Sequence, residues 1–583
     1  MNKTILKLTV GLITILFGVG AQASRPNIVI IMVDDIQFQS SAQWSEDKQA
    51  LGSYNPANHT PYTPQLDRLA AAGLQFTRAY SSSTTCAPAR YSVLTGRYAG
   101  NNQSADFLTS NTVNQLPGEE HFLSRVENVN ISMEKGSEKY AGMNLQTQLS
   151  KAGYTTGIVG KWHLGQHVRN SKTTWENYGM AYYDRDADPA SDAQVNQKMR
   201  DNQRVVQQHL QDDYGWDHAK NIYLANLKEL KNTHLNVHNL EWTVKGAFEF
   251  MELALATPEK PFFMYFNTTL HHGPGPFDEG LKRSMKADVR YTGDGYYPEG
   301  VKYQGKNVMP SRQKIMEEMK AAGHNVKDSW TLYLDKGVEA LMNKIDELGI
   351  SDNTLVIFTS DHGQDRYGKA SLLEGGTAVP LFMVWKGKIP AGKKIHQLVQ
   401  GIDYAPTLYH YAGILDQLPA DYHMDGKSLH RYIETQDNSL VTHQSLFFEM
   451  GFSRAVMTLD NHYIAVRYPH KIQRQIKAGK TWRPYSKSDA LLTKPYLLNN
   501  KHLGHYASFY NDQYWNKDQY YDHATDPQQY HNLLYNNNDT RIPESQLAKE
   551  IIAGRDRLQG LLKEHLKNFS GSYFGEFYSA GEK

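Results

Sequence analysis

Asn27-Ile28-Val29-Ile30-Ile31-Met32-Val33, closed by Asp34-Asp35, is the stretch that decides the fold. A strand with one wet face alternates apolar and polar residues. An unbroken apolar run belongs to a strand covered on both faces, as in a parallel sheet. A second run, Thr354-Leu355-Val356-Ile357-Phe358-Thr359-Ser360, closes on Asp361-His362-Gly363. In open α/β sheets ligands collect beyond the carboxyl ends of the strands. Either end alone reads as a solvated turn; the two together, with the neighbouring blocks given below, favour a metal site.

Working outward, helical and extended stretches alternate. Thr63 to Gly73 and Leu145 to Gly153 have helical spacing and a glycine stop, and Thr155 to Val159 reads as a strand. Trp242 to Leu255 predicts a helix feeding the strand Pro261 to Thr268, and Leu332 to Gly349 one feeding the strand at Thr354. The expectation is an α/β fold, a large mostly parallel sheet with helices on both faces. Tyr98 to Tyr140 and Gly273 to Val326 lack periodicity and are expected to be long loops or insertions. The chain turns polar near Thr435 to Ser445, then shows short strands such as His462 to Val466 and a terminal helix from Glu544 to Asn568. We therefore expect a large domain over residues 24–440 and a smaller C-terminal α+β domain over 441–583, carrying an antiparallel sheet.

The 583 residues exceed the roughly 250–300 at which a single core stops growing. Lys+Arg is 62 against Asp+Glu 61, so bulk charge supports no nucleic-acid or membrane-surface partner. Lys3 and Lys7 precede the apolar run Leu8 to Val19, which ends at Ala21-Gln22-Ala23. That pattern reads as a signal peptide over residues 1–23. It predicts an exported protein, periplasmic or secreted, without a membrane anchor. Export makes Cys86 an anomaly, because it is the sole cysteine and has nothing in the chain to pair with. It sits in the polar segment Ser81-Ser82-Ser83-Thr84-Thr85-Cys86-Ala87-Pro88-Ala89-Arg90, which has the character of a helix start rather than a core strand.

Cys86-Ala87-Pro88-Ala89-Arg90, followed by Leu94-Thr95-Gly96-Arg97, closely resembles the signature of the type I, formylglycine-dependent sulfatases of the alkaline-phosphatase-like superfamily. The likeness extends along the chain. Gly160-Lys161-Trp162-His163-Leu164-Gly165 is similar to one of the family's blocks, and His271-His272-Gly273-Pro274 to its Pro-His-x-Pro turn. Gly368-Lys369 with Glu374-Gly375-Gly376 resembles another, as do Tyr521-Asp522, Asp526-Pro527 and Asn532-Leu533.

The resemblance implies that Cys86 is converted to formylglycine by a formylglycine-generating enzyme during maturation. The aldehyde's hydrate attacks sulfur and then expels inorganic sulfate by elimination, whereas a serine would be trapped as a stable ester. It implies that Asp34, Asp35, Asp361 and His362, with the modified Cys86, ligate calcium. Because His362 is a softer ligand than calcium prefers, magnesium and manganese are the alternatives. Arg90 is expected to stabilise the formylglycine region, Lys161 and Lys369 to bind sulfate oxygens, and His163 to assist the diol. His272 is the candidate general acid for the leaving alcohol, with His271 as its competitor. Gln364 and Asp365 receive no role. The substrate class implied is a sulfated carbohydrate, with carrageenan- or ulvan-like algal chains as first guesses. The alternatives are a phosphoesterase or phosphonate monoester hydrolase of the same superfamily, or a non-catalytic binder of sulfated glycans if Cys86 stays unmodified.

Overall fold

The computed structural model describes residues 25–36, 62–114, 126, 131–165, 172–189, 191–227, 232, 238–257, 259–272, 308–324, 329–363, 369–451, 453–467, 518–527, 529, 531–536 and 540–567. In chain order the first strands are β1 (Asn27–Val33), β2 (Leu74–Phe76), β3 (Ala79–Tyr80), β4 (Thr155–Lys161) and β5 (His218–Tyr223). There follow β6 (Phe262–Asn267), β7 (Thr354–Ser360), β8 (Leu381–Val384), β9 (Lys393–Ile395) and β10 (Val399–Gln400).

Strand β1 is buried along its whole length. Ile28, Ile30 and Met32 enter one hydrophobic cluster, while Val29, Ile31 and Val33 enter another on the opposite face. Strand β7 divides likewise, Leu355 and Ile357 to one side and Val356 and Phe358 to the other. These two central neighbours pair in parallel from Asn27↔Thr354 to Val33↔Ser360. The full sheet has eight strands in the order β5-β4-β6-β1-β7-β8-β2-β9. It is parallel except where β8 runs against β7 and β2. Helices Pro64–Ala72, Leu240–Leu255, Arg312–Ala321 and Ser329–Glu347 supply residues to one face. Cys86–Thr95, Leu145–Lys151, Ala193–Asp212 and Tyr404–Tyr411 supply the other. The expected α/β architecture is what is found.

Beyond it a second sheet is antiparallel, with four strands in the order β11 (Leu446–Met450), β12 (Ser453–Met457), β13 (Asn461–Val466) and β14 (Asp518–Asp522). One of its faces carries the terminal helix Lys549–Lys567, through Val456, Tyr463, Leu558 and Leu562. The other packs Phe448, Met450 and Ile464 against Tyr80, Ala370, Leu372 and Leu373 of the larger layer.

Two expectations need correction. The stretch 98–140 contains a helix, Ala105–Asn114, and 273–326 contains Arg312–Ala321. Arg312–Ala321 buries only Arg312, Ile315 and Met319, so its apolar stripe is too thin to show as periodicity. Ser311, whose hydroxyl accepts the Lys314 N–H, was its available start signal. The terminal helix also begins later than expected, at Lys549, after a separate short turn of 3-10 helix at Glu544–Gln546. The signal segment 1–23, Gly273, Pro274, Gln364, Asp365, Gly368 and Asn568 lie outside the described residues. No helix among the described residues is long and apolar enough to cross a membrane.

Candidate active site

The carboxyl ends of β1, β4, β6 and β7 converge. Asp34 and Asp35 leave β1, Asp361 and His362 leave β7, and Lys161 ends β4. Asp361 N–H continues the pairing onto Val33 C=O at 3.1 Å, and its Oδ1 accepts the N–H groups of Asp35 (3.2 Å) and His362 (2.9 Å). Lys161 is aimed by an irregularity: the β4/β5 register shifts between Val159 and Gly160. Gly160 has φ +89°, and a Cβ there would meet the Asn267 carbonyl of β6. Only glycine allows that approach.

Cys86 is the first residue of helix Cys86–Thr95, with no exposed surface. Pro88 lies in the first helical turn, where its missing N–H would have had no partner within the helix. Cys86 Sγ lies 3.4 Å from Asp34 Oδ1 and 3.3 Å from His362 Nε2, and His362 Nε2 lies 3.2 Å from Asp35 Oδ1. Each of Asp34, Asp35, Cys86 and His362 offers a ligand atom within 4.8 Å of the others. His362 Nδ1 is 2.7 Å from the Gly363 carbonyl and donates to it, which leaves the Nε2 lone pair facing the cluster. That donor set fits a divalent cation, more so once an oxygen replaces Sγ, the position the formylglycine hydrate would take. Asp361 is differently engaged: its Oδ2 is held by Arg90, and its Oδ1 lies 3.7 Å from His362 Nε2.

Three cations face these carboxylates, Arg90 and Lys161 buried and Lys369 partly exposed. Arg90 donates from Nε (3.1 Å) and Nη2 (2.9 Å) to Asp361 Oδ2, and from Nη1 to Asn267 Oδ1 at 2.7 Å. Lys161 is paired with Asp34, and Lys369 with Asp35. Burial works to raise the Asp34 carboxyl, but Lys161, His272, Arg90 and Lys369 together hold it well below the usual range. Asp35 is lowered too, Lys369 being the largest influence opposing burial. Asp361 goes the other way, raised by burial and by Asp34. Burial and Asp34 push the Cys86 thiol well above its ordinary value. An unmodified Cys86 is therefore a protonated thiol and a poor nucleophile.

Burial, and then Lys369, press the His272 imidazolium down to about 3. His271 is also lowered to about 3, mainly by burial, and its ring packs 4.7 Å from Trp330. His163, with φ +61°, lies on the turn leaving β4, where its N–H donates to Leu224 C=O at 2.8 Å. Asn267 escaped the sequence reading. Its signal was available, a polar residue closing an apolar strand at the carboxyl end of the sheet.

Residues 26–414 match the Sulfatase family model, and residues 361–500 match the C-terminal model of N-sulphoglucosamine sulphohydrolase. The chain is 25% identical over 465 residues to an N-acetylgalactosamine-6-sulfatase of Rattus norvegicus, covering 75% of this chain and 70% of the relative. An N-acetylgalactosamine-6-O-sulfatase of Bacteroides thetaiotaomicron is 24% identical, covering 69% of this chain and 75% of that protein. Among solved structures, the PsFucS1 sulfatase of Pseudoalteromonas superposes with TM-score 0.51 at 16% identity, covering 94% of this chain and 91% of that one. That last likeness speaks for the fold alone. With more than half its length matched, this chain belongs to the sulfatase family and is a hydrolase of sulfate esters.

Proposed function

We propose that the protein desulfates a carbohydrate, using formylglycine made from Cys86 and a divalent cation held by Asp34, Asp35, Asp361 and His362. The observation that carries this reading is the convergence of Cys86 with two carboxylates, an imidazole and three cations, two of them fully buried. The cation, calcium first and magnesium or manganese as alternatives, supplies charge neutralisation to the sulfate oxygens and acidifies the hydrate. The formylglycine hydrate supplies a nucleophile that need not be hydrolysed to turn over.

The chain's own groups do the rest. Lys161 and Lys369 bind sulfate oxygens in a buried setting where each charge counts for more than in water. Arg90 holds Asp361 and Asn267 in place beside position 86. His163 orients the hydrate. His272 donates the proton that the departing alcohol needs; it is neutral in the free site, and the arriving anion favours its protonated form. Carbohydrate as substrate is supported by the names of the rat and Bacteroides relatives, both N-acetylgalactosamine sulfatases. Carrageenan- and ulvan-like chains and sulfated glycosaminoglycans are the polymers to try. Export through residues 1–23 belongs to the same reading.

Intact-mass analysis of the peptide carrying Cys86 tests it, with a loss of about 18 Da expected for thiol-to-aldehyde conversion. Desulfation of a panel of sulfated oligosaccharides, with phosphate and phosphonate esters as controls, decides the substrate class. A converted residue with turnover only on phosphorus esters would overturn the assignment.

A further inference from the structure

Gln529 lies far from the reacting atoms yet is fully buried and has φ +60°, an unusual backbone for a residue with a side chain. Such a conformation persists where the surroundings require it. Its amide has two jobs. Oε1 accepts the N–H of Glu374 at 2.7 Å, across 155 positions of sequence. Nε2 donates to His462 Nδ1 at 2.7 Å and lies 3.3 Å from His523 Nε2. Reversing the amide would set an NH2 against the Glu374 N–H, so the orientation is determined.

The bond to Glu374 matters because Glu374 ends the loop that carries Lys369. Glu374 opens the short helix Glu374–Thr377, and the residue before it is Leu373, whose side chain has no oxygen to cap the first N–H. Gln529 supplies that acceptor from the C-terminal segment. The helix in turn closes on the exit of β7, where Gly363 N–H donates to Gly376 C=O at 2.8 Å, one residue beyond His362. A Cβ on Gly363 would collide with Gly375 C=O, so the two backbones are in direct contact. At the other end of the loop, Ala370 N–H donates to Thr84 C=O at 2.9 Å, two residues before Cys86. The loop bearing Lys369 is thus tied at one end to the Cys86 turn and at the other, through Gln529, to the antiparallel sheet.

We infer that Gln529 is a positioning residue for substrate binding: by capping Glu374 it fixes the loop that presents Lys369 to the sulfate group. The inference rests on the proposed contact of Lys369 with sulfate. Gln529→Met keeps the shape and the same backbone cost while removing both polar atoms. The test compares it with wild type at equal formylglycine content and equal folded fraction by circular dichroism. The readouts are Ki for inorganic sulfate, and kcat and KM on an aryl sulfate. We expect Ki and KM each to rise about tenfold with kcat changed much less, the scale of one lost buried hydrogen bond. A change in Ki under about threefold overturns the inference.

Should Q529M yield no folded protein, Glu374→Pro carries the test: proline suits the first position of a helix, Leu373 before it is already extended, and the N–H that Gln529 accepts is removed. A Ki raised about tenfold supports anchoring through Glu374, and a change under about threefold overturns it. A wild-type protein that neither binds sulfate nor turns over an aryl sulfate sinks the functional reading itself, a failure visible before any variant is compared.

Discussion

Lys369 Nζ donates to both carboxylate oxygens of Asp35, at 2.7 and 2.8 Å, and lies 4.0 Å from Cys86 Sγ. One cation therefore serves a carboxylate of the candidate metal-ligand cluster and also comes within reach of Cys86. This couples the two halves of the site, because changing the lysine alters both.

Replacing Lys369 by Ala is expected to lower kcat/KM by about 10²–10³, the usual scale for removing one charge-stabilising donor. It also takes away the largest influence holding the Asp35 carboxyl down. The half-activity pH on the acid side should therefore move upward in the variant. Steady-state kinetics across pH on an aryl sulfate reads both effects.

Cys86→Ser should abolish multiple turnover while leaving inorganic sulfate affinity within about threefold of wild type, since the lysines remain. Sustained turnover by that variant would exclude elimination as the release step. Protein made without a formylglycine-generating enzyme should behave alike. Its buried, protonated thiol should resist alkylation in the folded state and react on unfolding.

Arg90→Lys keeps the charge and loses the fork that joins Asp361 to Asn267. Lysine has one donor centre where guanidinium offers several in fixed geometry. A stability loss of about 1–3 kcal/mol, from hydrogen bonds left unmade to buried partners, is expected in urea unfolding. Wild-type stability in this variant would refute the positioning role.

Chelation followed by dialysis should remove activity, and calcium, magnesium or manganese should be ranked by what restores it. A cation that binds only the folded state raises the melting temperature as its concentration rises. A melting temperature and activity indifferent to all three ions would count against the cluster as a metal site.

His462 is fully buried, and burial, then His523, hold its imidazolium well below 6.5. Below pH 6.5 the unfolded chain takes up a proton that the folded chain refuses, so stability falls as pH falls. The slope from this group is about 1.4 kcal/mol per pH unit. Above pH 6.5 it contributes no slope. His462→Asn keeps an acceptor for Gln529 and cannot titrate, so its urea midpoint should fall less steeply between pH 6.5 and 5.

Much of the fold and part of the site were legible in the sequence, and particular residues show why. Met32 and Val33 announced a strand with two covered faces, because a strand with one wet face would have placed a polar residue at every second position. Asp34 and Asp361 were placed at strand ends by the same runs. Cys86 stood out because a leader-like N-terminus predicts export, and a sole cysteine has nothing in the chain to pair with. Asn267 was visible but unweighted, and helix Arg312–Ala321 was hidden by the thinness of its buried stripe.

The local patterns determined the central strands, several of the helices, the mostly parallel class of the sheet and the family, since periodicity, glycine stops and motif spacing act over a few residues. Tertiary structure alone decided which charges meet. Lys369 and Asp35 are 334 positions apart, and Gln529 and Glu374 are 155 apart. No local pattern marks Gln529. The reason is physical: a hydrogen bond between distant segments needs only one acceptor at one place, and nothing in the neighbouring sequence has to change to provide it.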